Sequence, residues 1–268
     1  MGALPDRPGL SADGVRARLA EGGWRGPQPV ILATTGSTNA EIAGHLAGPE
    51  GTCVVAEEQT AGRGRHDRAW ASPARAGLWM SVLIHPADVA TVRWGWLPLV
   101  AGLAVRDAVR TMNPIPLELK WPNDLVIRSA ACGGGLAKVG GILSEVLAPD
   151  AVVVGIGINV SLTSAELPTD AATSLLLEGG ETDRDALLAG ILLALRDRLA
   201  MWRTGDPALA RDYLEACATI GRTVEVHLPG DGSLRGPVTG IDADGHLVVE
   251  VDGVTRIVTA GDVIHATI

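Results

Sequence analysis

The chain has no phenylalanine and one tyrosine, so its aromatic chemistry falls on seven tryptophans. Each Trp is therefore expected either to carry a large share of a core or to line a site. Trp70, Trp79 and Trp121 sit in or beside the motifs described below, whereas Trp24, Trp94, Trp96 and Trp202 read as anchors. Cysteine is scarce: Cys53, Cys132 and Cys217 are odd in number, widely spaced and free of any C-x-x-C, which excludes a disulfide framework and a zinc knuckle and fits a reducing cytoplasm. Positive charge is short too, with 22 Lys and Arg against 31 Asp and Glu and a net charge of -9. Broad binding to a phosphate backbone is excluded, so no nucleic-acid partner is expected. No run reaches the ~18 apolar residues of a membrane span. Asp6, Arg7, Asp13 and Arg16 interrupt the start where a signal peptide needs apolar residues, so a soluble cytoplasmic protein with no membrane partner is expected. A chain of 268 residues suffices for one sizeable core and a small second domain.

What is present is organised around Gln59-Thr60-Ala61-Gly62-Arg63-Gly64-Arg65-His66-Asp67-Arg68-Ala69-Trp70. Glycines let the backbone approach a ligand and expose N–H donors, and Arg63 and Arg65, in an extended segment, project to one side. This composition suits an anion-binding loop that stays mobile until an anion neutralises it, and equally a solvated basic surface loop. Before it, Ser11 caps a helix to Glu21, Val30 to Ala33 reads as a short buried strand, and Ser37-Thr38-Asn39 either caps a helix from about Ala40 to Leu46 or offers polar groups to a ligand. Thr52 to Ala56 and Leu78 to Ile84 read as strands, and Trp94 to Met112 carries a helical stripe with Pro98 in its first turn.

Lys120 lies in an apolar strand just before Pro122-Asn123-Asp124, a turn-forming run. Such a lysine must snorkel out or meet an anion, and Asp124 is close enough in sequence to share the site. A Gly-rich loop, 129 to 137, leads to the return arm containing Lys138 and Gly141. In the strand Ala151 to Ile158, Gly155 and Gly157 fall on one face, where a flat group or a close neighbouring strand packs against backbone, and Asn159 ends it. Thr182 to Arg203 reads as a helix opened by Thr182 with Asp185, and a second helix runs from Pro207 to Cys217. After Gly221, alternating apolar residues broken by turn signals read as a small β-barrel.

Taken together, these motifs resemble biotin protein ligases. The likeness rests on Ser37-Thr38-Asn39, Gln59 with Gly62-Arg63-Gly64-Arg65 and Trp70, Lys120-Trp121-Pro122-Asn123-Asp124-Leu125, Lys138 before Gly141-Ile142-Leu143, Gly155 to Asn159, and Ala172-Thr173-Ser174-Leu175, in family order over nearly the whole chain. The resemblance implies an α+β fold, a mixed sheet flanked by helices over residues 1–218, followed by an SH3-like barrel over 219–268. It implies ATP-dependent activation of biotin to biotinyl-5'-AMP, with Mg²⁺, and transfer to a lysine of the biotin carboxyl carrier domain of biotin-dependent carboxylases. By the same likeness Ser37, Thr38, Asn39, Gln59, Arg63, Gly64, Arg65 and Lys138 bind biotin. Arg63, Arg65, Trp70, Lys120, Asn123 and Asn159 hold ATP or the adenylate. Arg65, Lys120, Asp124 and Lys138 act in catalysis, and no protein metal ligands are expected.

Two departures concern the loops: Asp67 stands where many relatives carry Gly, and 129–137 is longer than the usual hairpin. With 36 residues before Ser37, no helix-turn-helix repressor domain is expected, and the oligomeric state is expected to be monomer or weak ligand-linked dimer. The alternatives are a lipoate or octanoate ligase of the same fold, against which the Gly/Arg loop and Lys-Trp-Pro-Asn-Asp run argue, and a non-catalytic biotin or nucleotide sensor, against which Lys120, Asp124 and Lys138 argue.

Overall fold

Ser11 opens the first helix, its hydroxyl accepting the Gly14 N–H, and α1 (Ala12–Glu21) buries Val15 and Leu19, the apolar pair four residues apart. The computed structural model describes residues 5–70, 72–113, 115–228 and 232–265; the side chain of Asp67 also lies outside the described residues. After α1 come β1 (Val30–Leu32), α2 (Thr38–Ile42), β2 (Cys53–Ala56), β3 (Gly62–Arg63), β4 (Ala69–Trp70), β5 (Gly77–Ile84) and α3 (Leu97–Met112). Then follow β6 (Leu117–Lys120), β7 (Asp124–Arg128), β8 (Leu136–Ala148), β9 (Ala151–Asn159), α4 (Arg184–Thr204) and α5 (Pro207–Ala216). The last stretch holds β10 (Thr223–His227), β11 (Ser233–Ile241), β12 (Leu247–Val251), β13 (Val254–Val258) and β14 (Asp262–His265). Among the described residues no helix is long and apolar enough to cross a membrane.

Seven strands form one mixed sheet in the order β1-β2-β5-β9-β8-β7-β6, with β1 and β2 parallel and every other pair antiparallel. Strand alternation gives it two different faces. Leu78, Met80, Val82, Leu125, Val154 and Ile156 face α3 and α4 and belong to the main core. Each fully buried Val or Leu there contributes about 1.5–3 kcal/mol. The opposite face is covered only at one end, where Val54, Leu83 and Val153 meet Ile42 of α2 in a second, small cluster. The rest of that face is open to the site.

Several local expectations change. Strand β1 is an edge strand, so Val30 is exposed rather than buried. Helix α2 starts at Thr38 and gives way to a 3-10 turn at Ala43–His45, and Ser37, though at the N-cap, makes no side-chain cap. The side chains of Thr38 and Asn39 are engaged elsewhere. The helix predicted from Trp94 begins as a 3-10 turn, Thr91–Trp96, and becomes α-helical at Leu97, with Pro98 in the first turn where its missing N–H costs nothing. Helix α4 is capped by Asp183, which accepts the Ala186 N–H at 3.0 Å, not by Thr182. Asp185 instead accepts the Ser11 N–H at 2.9 Å, tying the start of α1 to α4.

The C-terminal strands form a five-stranded antiparallel sheet in the order β13-β12-β11-β10-β14. Its inner residues, among them Val224, Val226, Leu247 and Val249, join the main core, so the two sheets share one apolar interior. The indole N–H groups of Trp96 and Trp121 donate to the carbonyls of Ala243 (2.9 Å) and Gly245 (3.1 Å), fixing the turn before β12 against α3 and the end of β6.

Candidate active site

One cross-strand row lays out the floor of the site. Trp79 in β5 pairs with Gly157 in β9, Gly157 with Gly141 in β8, Gly141 with Asp124 in β7, and Asp124 with Lys120 in β6. Residues directly opposite in a ladder project to the same face. Lys120 and Asp124 therefore stand on the open face beside two consecutive positions without side chains. A Cβ on Gly157 would lie 3.4 Å from the Trp79 indole and 3.5 Å from that of Trp70, and one on Gly141 would lie 3.4 Å from Lys138 and 3.5 Å from Trp70. The flat groups over this backbone are thus the protein's own indoles, which meet edge to face with centroids 6.1 Å apart.

Lys138 reaches this face because of a β-bulge. Leu125 pairs with Gly140 but Val126 pairs with Lys138, so Val139 is the extra residue and turns into the main core. Without the bulge the alternation would send Lys138 to the helix side. As built, its ammonium lies 2.5 Å from Asp124 Oδ1 and 5.5 Å from the centre of the Trp70 ring. Asp124 thus pairs with Lys138, while Lys120, its cross-strand neighbour, shares the same cavity, as their closeness in sequence suggested. The charge of Lys120 is felt instead by His265 in β14: burial pushes that imidazole down to about 4, and the charges of Lys120, Arg222 and Arg128 push the same way.

The adjacent row, Ser81, Gly155 and Leu143, carries the amide of Asn39. A Cβ on Gly155 would overlap Asn39 Oδ1. Ser81 donates to Asn39 Oδ1 at 2.6 Å, and Asn39 Nδ2 donates to the Leu143 carbonyl (3.2 Å) and to Glu145 (2.6 Å). Gln59 Oε1 accepts both the backbone N–H and the hydroxyl of Thr38. These bonds hold polar side chains above the sheet, with Ser37, Thr38 and Asn39 all buried.

The Gly/Arg loop is a hairpin, β3 against β4, not an extended segment; Gly64 N–H donates to the Arg68 carbonyl at 2.7 Å to close it, and His66 takes a left-handed backbone (φ 54°). Its arginines already have carboxylate partners. Arg63 meets Glu145 at 3.3 Å. Arg65 donates to Asn123 Oδ1 (3.3 Å) and the Gly261 carbonyl (3.2 Å) and lies 3.6 Å from Asp262, which also takes Arg68 at 2.5 Å. Burial pushes the Asp262 carboxyl up, but the hydrogen bond from Arg68 and the charges of Arg68, Arg65 and His66 together hold it below its ordinary value. Asn123 Nδ2 donates to the Ile142 carbonyl, and buried Asn159 donates to the Thr173 carbonyl at 2.9 Å. That last bond fixes segment 171–173, in which the Ala171 carbonyl accepts the Lys138 N–H and the Thr173 N–H donates to the Lys138 carbonyl.

Every residue assigned a catalytic, biotin or adenylate role from the sequence lines one cavity of about 690 Å³. The sequence reading missed its far wall, His227, Asp262 and Ile264, which comes from the C-terminal sheet. It also missed Glu145 and gave Ser81 no role beyond being polar; a serine in the middle of an otherwise apolar strand was the available signal. The cavity is lined by hydrogen-bonding side chains, by the Trp70 indole over the glycine floor, and by the cations Arg63, Arg65, Arg68, Lys120 and Lys138. It can orient a small polar ring and gather anionic groups.

The sequence pattern of the Biotin/lipoate A/B protein ligase family matches residues 32–161, and that of the Biotin protein ligase C terminal domain matches residues 219–266. The chain is 43% identical to a biotin--[acetyl-CoA-carboxylase] ligase of Mycobacterium tuberculosis, over 97% of both chains. It is 35% identical to a bifunctional ligase/repressor of Bacillus subtilis, over 86% of this chain and 71% of that one. Its fold superposes on the biotin protein ligase of Aquifex aeolicus, solved in complex with biotin and ATP, with a TM-score of 0.76 and 28% identity, covering 89% of this chain and 99% of that one. With both family patterns matched in order and a relative aligned nearly end to end, the chain belongs to the biotin protein ligases of the biotin/lipoate A/B protein ligase family.

Proposed function

We propose that the chain joins biotin to ATP, giving biotinyl-5'-AMP and pyrophosphate, and then passes the biotinyl group to a lysine of the biotin carboxyl carrier domain of a carboxylase, releasing AMP. The observation that carries this reading is the row of Lys120, Asp124, Gly141 and Gly157, with Lys138 turned onto the same face by its bulge. The first step brings a carboxylate against a triphosphate. Anions repel, and prepositioned cations in a partly dry site offset that repulsion where charge develops. Arg65 and Lys138 are assigned to the biotin carboxylate and α-phosphate, and Lys120 to the phosphates.

Ser37, Thr38, Asn39, Gln59, Arg63 and Gly64 are assigned to biotin, and Trp70, Asn123 and Asn159 to the adenylate. Mg²⁺ enters with ATP as part of the substrate. Among the described residues the one three-member carboxylate and imidazole cluster, Asp242, Asp244 and His246, lies on the turn before β12 outside the cavity, and Asp242 is engaged with the N–H groups of its own turn. The phosphates are proposed to carry that ion.

In the second step a lysine amine, which in water titrates near ~10.4, must lose a proton to attack the acyl carbon of the mixed anhydride. Asp124, at the mouth of the β6–β7 turn, is assigned to orient that amine and take the proton while the acyl–phosphate bond breaks. The acceptor is assigned as an acetyl-CoA carboxylase, in line with the name of the Mycobacterium tuberculosis relative. The free thiols Cys53, Cys132 and Cys217 fit a reducing cytoplasm. Residues 1–218 are proposed as the catalytic domain and 219–268 as an SH3-like C-terminal domain. The protein is proposed to act as a monomer or a weak ligand-linked dimer, without nucleic acid or membrane. Exchange of radioactive pyrophosphate into ATP tests the substrate: biotin should drive it and lipoate and octanoate should not. Exchange driven by lipoate would overturn the assignment in favour of the other branch of the family.

A further inference from the structure

Glu145 belongs to no sequence motif assigned to the site, yet one of its oxygens bridges two residues that are. It stands in β8 two residues after Leu143, on the same face, and Oε2 accepts from Asn39 Nδ2 at 2.6 Å and from Arg63 Nη2 at 3.3 Å. The second hydrogen of Asn39 Nδ2 goes to the Leu143 carbonyl, and Oδ1 receives the Ser81 hydroxyl. The reverse orientation of the amide would set its oxygen against a carboxylate and a carbonyl, so Glu145 and Leu143 determine which way Asn39 points. Both amide hydrogens are then engaged, and Asn39 has one lone pair left. It can accept from a ligand but cannot donate to it.

We propose that Glu145 is a positioning residue of the biotin site: it locks Asn39 as a hydrogen-bond acceptor for a ureido N–H and holds Arg63 over the same ligand. The inference rests on the biotin-binding reading above. It deepens that reading by giving a physical source of selectivity. A ligand without an N–H, such as a fatty acyl chain or a dithiolane ring, leaves the second lone pair of this buried oxygen without a donor, and a site built to hydrogen-bond one substrate rejects an analogue that lacks the partner.

The test is calorimetric titration of the parental protein, Glu145→Gln and Glu145→Ala with biotin and with biotin methylated on its ureido nitrogens, alongside thermal melting. Glu145 is partly exposed and glutamine has nearly its shape, so Glu145→Gln is the variant that keeps the fold. The parental protein should prefer biotin over the methylated analogue by roughly 100-fold. Glu145→Ala should bind biotin about 10-fold to 50-fold more weakly, the loss expected for a charge-assisted hydrogen bond, while binding the analogue as before, so that the preference collapses. Glu145→Gln, whose amide oxygen can take the place of Oε2 but carries no charge for Arg63, should fall between. Unchanged selectivity in both variants, or an equal loss for both ligands, would overturn the role of Glu145. A parental protein that binds no biotin would instead overturn the functional reading, and the two failures are distinct.

Discussion

Replacing Lys138 by methionine removes a charge from the point where the two anionic reactants must meet while keeping most of the side-chain volume. Its effects on stability and on chemistry should differ widely. The ion pair with Asp124 has side chains 38% and 23% exposed, so solvent screens it and its loss should cost about 0–1 kcal/mol of stability. The contact over Trp70, at 5.5 Å, adds about 0.5 kcal/mol. In the transition state for adenylation the same ammonium faces charge developing between carboxylate and phosphate, and removing one such group costs about 2–4 kcal/mol, roughly 30-fold to 900-fold in rate. The assay is single-turnover formation of biotinyl-5'-AMP from biotin and Mg-ATP, with thermal melting as a control. A second arm supplies synthetic biotinyl-5'-AMP, which should restore much of the transfer to a carrier domain because the impaired step has been bypassed. Adenylation at the parental rate would refute the reasoning and leave Lys138 as a strand residue whose amine reaches solvent.

Gly155→Ala places a methyl group on Asn39 Oδ1, so Asn39 must leave its position; biotin affinity measured by calorimetry should fall by at least about 30-fold, with about 1–3 kcal/mol lost in stability, and unchanged affinity would mean that Asn39 does not touch biotin. Asp124→Asn should retain biotin-dependent pyrophosphate exchange within a few-fold but slow transfer to the carrier by roughly 100-fold or more, as read by the mass of the acceptor; equal losses in both steps would assign Asp124 to binding alone. His265 titrates near ~6.5 in an unfolded chain but is held down to about 4 here, first by burial and then by Lys120, Arg222 and Arg128. Between these values the unfolded state binds the extra proton, so stability falls as pH drops from ~6.5 to about 4 and this contribution levels off below that. Urea midpoints for the parental protein and His265→Gln should converge over that window, and parallel pH profiles would contradict the assignment. Amide exchange across residues 60–70 should slow when biotinyl-5'-AMP binds and adds an anion to Arg63 and Arg65; equally slow exchange with and without it would show a loop already fixed by Glu145 and Asp262.

What could be read in the sequence depended on whether a feature is local. The strand at β5 follows from a continuous apolar run, the helix at α3 from a period of 3.6 and the paired glycines of β9 from a period of 2, and the structure has them close to the expected limits. The Gly/Arg loop and the Lys-Trp-Pro-Asn-Asp run carry enough chemistry to identify a site without a fold. The bulge at Val139 does not show in the sequence, because it exists only in the pairing of β7 with β8, and so the Asp124–Lys138 pair could not be read there. In the Ser37-Thr38-Asn39 run, Thr38 and Asn39 are taken up by tertiary partners, Gln59 and residues of β5 and β8, rather than by local backbone N–H groups. Asp262 is 194 residues from Arg68, and no local signal places the C-terminal sheet against the loop. Proximity in sequence suggests Asp67 as a partner of Arg65 and Arg68; that side chain lies outside the described residues, and among those described Asp262 meets both arginines.

The central claim is a two-step reaction in one cavity, with the adenylate as a bound intermediate. The most direct measurement is a chase. The protein is loaded with biotin and Mg-ATP, freed of unbound nucleotide by rapid desalting, and mixed with an unmodified biotin carboxyl carrier domain in the absence of ATP, after which the carrier is weighed by mass spectrometry. The account predicts that biotinyl-5'-AMP is retained through desalting and that the carrier gains one biotinyl group on a single lysine, with AMP released in equal amount. A carrier that gains mass only when ATP is present in the chase, or a loaded protein holding biotin and ATP but no adenylate, would contradict it.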